Sequence, residues 1–95
     1  MMTFEGLYEI ICQRRDNPTD ESYTAKLINW GEDKILKKVG EEAMEVILAA
    51  KAQGDQRLIE ESSDLVYHLF VLLASRNISP ADILAELDKR HQPKQ

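Results

Sequence analysis

Two short acidic clusters carry the clearest chemical potential in this 95-residue chain: Glu41-Glu42-Ala43-Met44-Glu45 and Glu61-Ser62-Ser63-Asp64. Each holds an acid-x-x-acid pair. Residues three apart on a helix are neighbours, with roughly 5–6 Å between Cβ atoms, so Glu42 with Glu45 and Glu61 with Asp64 each form a two-carboxylate claw. If the two segments are antiparallel helices joined by a turn at Gly54-Asp55, the claws lie about two turns from it on either arm and face each other. Four converging carboxylates repel and raise one another's pKa, and a divalent ion reverses that balance. Hard oxygen donors select Mg²⁺, with Mn²⁺ also acceptable, over zinc.

The charge distribution agrees. Of the chain's net −5, the whole excess sits in residues 41–64, where seven acids face Lys51 and Arg57, while ten acids and ten bases share the rest. Lys38, Glu42 and Glu45 lie on one helical face, with Lys34 one turn further out, so a cationic end adjoins the anionic claw as a metal-bound polyphosphate requires. A plainer reading competes. Lys37 with Glu41 and Lys38 with Glu42 are i,i+4 neighbours on what would be a solvated face, although Lys before Glu is the weaker ion-pair order. Gly40 sits mid-helix at a cost of roughly 1 kcal/mol against Ala, which close approach of another helix or of substrate would explain, as would neutral drift.

The elements that must position these residues are helical. No stretch alternates apolar and polar residues with β-branched enrichment, so the fold is read as all-α, an antiparallel bundle of about four to five helices. Thr3 caps a first helix carrying Phe4, Leu7, Tyr8 and Ile11 to about Arg14, and Asp16-Asn17-Pro18-Thr19-Asp20 breaks it. Ser22 caps a short helix carrying Tyr23, Leu27 and Trp30 that stops at Gly31. From Glu32 the stripe Ile35, Leu36, Val39, Ala43, Val46, Ile47 and Ala50 predicts a helix of about five turns ending near Gly54. Asp55 opens another, reaching about Arg76. Between Leu65 and Ala74 only His68 lies outside the apolar set, so that half is hydrophobic nearly all round and calls for a second copy. At least a homodimer is expected, completing the bundle. Ser79-Pro80-Ala81-Asp82 starts a last helix with Ile83, Leu84 and Leu87 inward, and the tail His91-Gln92-Pro93-Lys94-Gln95 is expected to fray.

Composition bounds the remaining classes. Ninety-five residues, 43% hydrophobic and 31% charged, predict one domain over residues 1–95 that folds. The lone Cys12 excludes an intrachain disulfide, and without a Cys/His array of zinc spacing a reducing cytoplasm is the expected compartment. The acidic balance gives no support for nucleic-acid binding, and no run approaches the roughly 18 apolar residues of a membrane span.

Glu-Glu-x-x-Glu followed some fifteen residues later by Glu-x-x-Asp resembles the motif pair of the α-helical nucleoside triphosphate pyrophosphatase superfamily, which includes MazG-like and dimeric dUTPase-like enzymes. Three further segments sharpen the resemblance: Ser22-Tyr23-Thr24-Ala25-Lys26-Leu27, Lys34 through Ala43, and Asp64-Leu65-Val66-Tyr67-His68-Leu69. With Asp82 through Leu87 they look like the phosphoribosyl-ATP pyrophosphatase family of histidine biosynthesis, over nearly the whole chain. The resemblance implies hydrolysis of phosphoribosyl-ATP at its α–β phosphate link to phosphoribosyl-AMP and pyrophosphate, the second step of the pathway. It implies that Glu42, Glu45, Glu61 and Asp64 ligate Mg²⁺. Glu41 points about 100° from Glu42 and is better placed to orient water than to ligate. Lys34 and Lys38, and Lys26 in the Ser-Tyr-Thr-Ala-Lys-Leu segment, are candidate phosphate contacts, each equally readable as a surface lysine. His68, one turn beyond Asp64, is a candidate for lining the site or for simple packing; Tyr67 and Trp30 are assigned to the core rather than to adenine stacking. In some relatives the activity is fused to the cyclohydrolase of the next step, for which this chain has no room, so a separate cyclohydrolase is expected.

Three rival readings remain open on sequence. A housecleaning pyrophosphatase for non-standard or deoxynucleotides would carry the same acidic motifs. A non-catalytic helical dimerisation module would bind no divalent ion, and a regulatory nucleotide binder would bind with Mg²⁺ but release no pyrophosphate.

Overall fold

A computed structural model of the chain describes residues 1–92, so part of the tail expected to fray, residues 93–95, lies outside the described residues. The described residues form five helices in the order α1 (Phe4–Asp16), α2 (Tyr23–Trp30), α3 (Glu32–Ala52), α4 (Asp55–Ser75) and α5 (Pro80–Arg90), with no strand among them. The expected punctuation holds in detail. Thr3 Oγ1 accepts from the Gly6 N–H at 2.9 Å and Ser22 Oγ from the Ala25 N–H at 3.1 Å, each relieving an orphan donor of a first turn. The Ser79 N–H donates to the Asp82 carboxylate at 2.9 Å with Pro80 at the first helical position. Gly31 (φ 106°) and Gly54 (φ 86°) are the hinges between α2 and α3 and between α3 and α4, in a conformation L side chains rarely adopt.

α3 and α4, twenty-one residues each, pack as the central hairpin, and α1 and α2 lie across the half of α4 far from the Gly54 turn. There the core forms, from Ile11, Leu27, Ile35, Phe70, Val71, Leu73 and Ala74. Phe4 and Tyr8 meet the Phe70 ring edge-on with centroids 5.9 and 6.3 Å away. The C-terminus of α4 is fastened by α1. The Arg15 guanidinium donates to the Ala74 carbonyl at 2.6 Å, where the helix dipole favours a cation, and the Tyr8 hydroxyl donates to the Ile78 carbonyl at 2.6 Å.

Three packing expectations are corrected. The apolar half of α4 is largely covered by α1, α2 and α3 of its own chain, with Leu69 the exposed exception. Trp30 faces outward from the end of α2. α5 has no buried residue: Leu84 is 66% exposed, and Ile83 and Leu87 are exposed with it, so this amphipathic face borders an open apolar cavity against α1 and α4 and is not closed over by its own chain. A Cβ at Gly40 would meet no heavy atom within 4 Å, so close approach by another helix of this chain does not account for that glycine.

Candidate active site

The α3–α4 hairpin brings the two acidic clusters together. One carboxylate oxygen each from Glu42, Glu61 and Asp64 lies within 4.8 Å of the other two. These three, with Glu41, Met44 and Glu45, line an open cavity of about 510 Å³ between the helices. Glu45 therefore faces the same space as the triad without joining its close set, and Glu41 stands exposed at its edge.

Burial and pairing divide the acids. Glu42 and Glu61 are 8% and 7% exposed, while Asp64 is exposed. A buried carboxylate without a counter-charge would be driven neutral, and each buried acid has its own cation. Lys38 Nζ lies 3.1 Å from Glu42 Oε1 and 3.6 Å from Glu41 Oε2, and the hydrogen bond to Glu42 raises the lysine's pKa against the opposing effect of burial. Arg57 bonds both Glu60 and Glu61; the bond to Glu60 is the largest influence raising its pKa, and Glu61 adds to it. The Asp64 carboxylate has no ion-pair or hydrogen-bond partner among the described side chains.

The donor set suits a hard divalent cation. Oxygens sharing one Mg²⁺ at about 2.1 Å sit about 3 Å apart when adjacent and about 4.2 Å when opposite, so the observed spacing is within a side-chain rotation of a shared ion. The charged donors are all carboxylates, and the cavity lining holds no thiolate or imidazole that would favour zinc, Met44 adding only a weak thioether.

The lysines separate. Lys38 adjoins the triad through Glu42, whereas Lys34, one turn earlier on α3, and Lys26 on α2 are exposed and outside the cavity lining. The i,i+4 pairs of the plainer reading are also present, Lys37 Nζ lying 3.9 Å from Glu41 Oε1, so Lys38 is both a helix-surface partner and a neighbour of the site.

Behind Asp64 lies a polar and aromatic group that the sequence offers only in fragments. His68 is 6% exposed; its Nδ1 lies 2.7 Å from the Asp64 carbonyl oxygen and its Nε2 3.0 Å from the Tyr23 hydroxyl. Tyr23 stacks on Tyr67 at 6.2 Å, and the Tyr67 hydroxyl bonds the Thr24 hydroxyl. The Tyr23 hydroxyl is raised in pKa first by burial, against which Lys38 acts, with Glu42 and Glu41 adding to the rise. The Arg57–Glu61 pair was readable as i,i+4 spacing. The Tyr23–His68 bond joins residues 45 apart and had no local signal.

Comparison with known proteins bears directly on this site. A family model described as phosphoribosyl-ATP pyrophosphohydrolase matches residues 4–91, which contain all five helices in full. A protein of Pelotomaculum thermopropionicum named phosphoribosyl-ATP pyrophosphatase is 58% identical over 88 residues, covering 93% of this chain and 90% of its own. Proteins of the same name from Bacillus thuringiensis and Bacillus anthracis are 53% and 51% identical over 89 residues, covering 94% of this chain and 83% of theirs. An acidic helical hairpin with this donor set, matched almost end to end at such identity, makes this chain a member of the phosphoribosyl-ATP pyrophosphohydrolase family.

Proposed function

We propose that this chain hydrolyses phosphoribosyl-ATP across its α–β phosphoanhydride, adding one water and giving phosphoribosyl-AMP and pyrophosphate, as the second step of histidine biosynthesis. The observation that carries the reading is the convergence of Glu42, Glu61 and Asp64 from two helices, in a chain matched by relatives named for this substrate. Glu42, Glu61 and Asp64 would hold Mg²⁺, with Mn²⁺ as an alternative, and Glu45 would reach it from the same cavity wall. What a divalent ion supplies at such a site is coordination of phosphate oxygens and neutralisation of charge developing on the leaving pyrophosphate.

The chain's own residues do the rest. Lys38 supplies the counter-charge beside the buried Glu42 and brings a cation to the side from which a polyphosphate would enter; Lys34 lies one turn further along that approach. Glu41, exposed and outside the triad but lining the same cavity, would orient the attacking water. Lys26 is assigned to a more distant phosphate contact.

The working unit we propose is a homodimer. The chain exposes 7135 Å², against roughly 5,600 Å² expected for a compact monomer of its mass. Its radius of gyration is 15.1 Å, against about 12 Å for a compact chain of this length. Large apolar side chains contribute to this surface, with Ile47, Ile59 and Leu84 each at least 59% exposed and an apolar cavity of about 570 Å³ open between α1, α4 and α5. A second copy would cover such faces, and an excess of about 1,500 Å² matches one partner's share of a large, permanent interface.

No described helix is long and apolar enough to cross a membrane, and a cytoplasmic location is the reading that fits a biosynthetic enzyme. The test is a substrate panel: pyrophosphate release from phosphoribosyl-ATP, ATP and dUTP at equal concentration with Mg²⁺. Turnover confined to phosphoribosyl-ATP is expected. Preference for dUTP would assign the chain to the housecleaning role instead.

A further inference from the structure

We propose that Tyr23 and His68 are positioning residues for Asp64, locking α2 onto the turn of α4 that carries the one acid of the triad lacking a side-chain partner. The inference rests on the proposed divalent-ion site. Lys38 holds Glu42 and Arg57 holds Glu61, so two of the three oxygens are fixed by charged neighbours. Asp64, exposed and unpaired among the described residues, depends for its direction on the backbone of its own turn. That backbone is gripped by His68.

The hydrogen-bond chemistry gives the grip a sense. A carbonyl only accepts, so the 2.7 Å contact makes His68 Nδ1 the donor to the Asp64 carbonyl. In the neutral ring Nε2 is then an acceptor, and at 3.0 Å the Tyr23 hydroxyl donates to it. The chain of donors runs from α2 through the imidazole to the Asp64 backbone. The next residues repeat the link: Tyr23 stacks on Tyr67, and Thr24 bonds the Tyr67 hydroxyl. Two consecutive side chains of α2 thus hold two consecutive side chains of α4. With eight residues, α2 is too short to be stable by itself, so its seat is set by such contacts and by Leu27 in the core. His68 is buried, and among the described residues no buried side-chain polar atom lacks a partner, so removing the tyrosine hydroxyl leaves Nε2 without its donor. Although Tyr23 is 43% exposed, its hydroxyl is committed inward.

Mn²⁺ binding, followed by electron paramagnetic resonance titration of the native full chain, Tyr23→Phe, His68→Asn and the double variant, tests this without recourse to turnover. Tyr23→Phe keeps the ring stack and removes only the hydroxyl, while His68→Asn keeps a donor near the Nδ1 position and removes the Nε2 acceptor. Each single variant should bind Mn²⁺ about tenfold more weakly, the lower end for a partner that orients a ligand. The double variant should be no weaker than either single one, because both break one chain of bonds. With saturating Mn²⁺, kcat should fall while KM for phosphoribosyl-ATP stays within twofold. Unchanged Mn²⁺ affinity in folded Tyr23→Phe overturns the proposal, and with a raised KM it would make Tyr23 a substrate contact. Additive losses in the double variant overturn it as well. Asp64→Asn separates the two readings: if it binds Mn²⁺ as tightly as the native chain, the metal site itself is wrong.

Discussion

The acid pairs on α3 and α4 share one spacing and differ in how they meet the site. On α4 both members, Glu61 and Asp64, reach the close set; on α3 only Glu42 does, while Glu45 faces the same cavity from further off. Residues three apart are neighbours along a helix, but which of them points across to a second helix depends on how each helix is rotated about its axis. That rotation is set elsewhere, by Ile35, Phe70, Val71 and Leu73 in the core. The difference teaches that a four-carboxylate motif need not be four equal ligands, and that the apolar residues far from the site decide their rank.

The largest expected effect comes from the close set. Glu42→Gln, Glu61→Gln and Asp64→Asn should each lower kcat/KM by at least about 100-fold, the range for loss of a group that holds a catalytic metal. Glu45→Gln sharpens the contrast: a loss nearer tenfold, measured in the same pyrophosphate assay, would fit its position, and an equal loss would show that substrate draws it into the set.

Lys38→Met tests what pairing contributes on the α3 side. It leaves the buried Glu42 without its cation, and with Lys38 partly exposed the loss should be about 1–2 kcal/mol rather than the 3 or more of a fully buried pair. Thermal melts should show that Mg²⁺ restores much of this, since the ion replaces the missing charge. Gly40→Ala should stabilise α3 by about 1 kcal/mol in the isolated chain, because nothing on the chain opposes a Cβ there. Lost turnover in that variant would mean that substrate or a second copy approaches the helix at Gly40.

The smallest effect concerns the far end of the hairpin, where Arg76 from the end of α4 bonds Glu32 at the start of α3. This bond holds the Glu32 carboxyl below its ordinary range. Its contribution is therefore present above the unfolded carboxyl's pKa and is lost as pH falls through the depressed folded value. A native chain and Glu32→Gln should differ slightly in melting temperature at neutral pH and converge in acid.

Much of the fold was legible because local chemistry and burial agree. Thr3, Ser22 and Ser79 cap where their hydrogen-bonding groups predict, and Gly31 and Gly54 break the chain where only glycine sits easily at positive φ. Leu27 and Ile35 lie in the core as their periodicity requires. Trp30, Ile83 and Leu84 were equally apolar in pattern, yet they are exposed, because periodicity shows that a face seeks cover and not which surface supplies it. The site divides the same way. The acid-x-x-acid pairs and the Lys38–Glu42 and Arg57–Glu61 neighbours follow from helical spacing alone. The demotion of Glu45 and the tie between Tyr23 and His68 depend on tertiary rotation and on a contact spanning 45 residues, which no local pattern encodes.

Pyrophosphate release from phosphoribosyl-ATP, with Mg²⁺ and after chelation, for the native chain and Glu42→Ala, tests the central claim most directly. The account predicts turnover by the native chain that chelation abolishes and the substitution removes. Undiminished turnover by Glu42→Ala, or none by a folded native chain with Mg²⁺, would contradict it and return the acids of α3 and α4 to a solvated face.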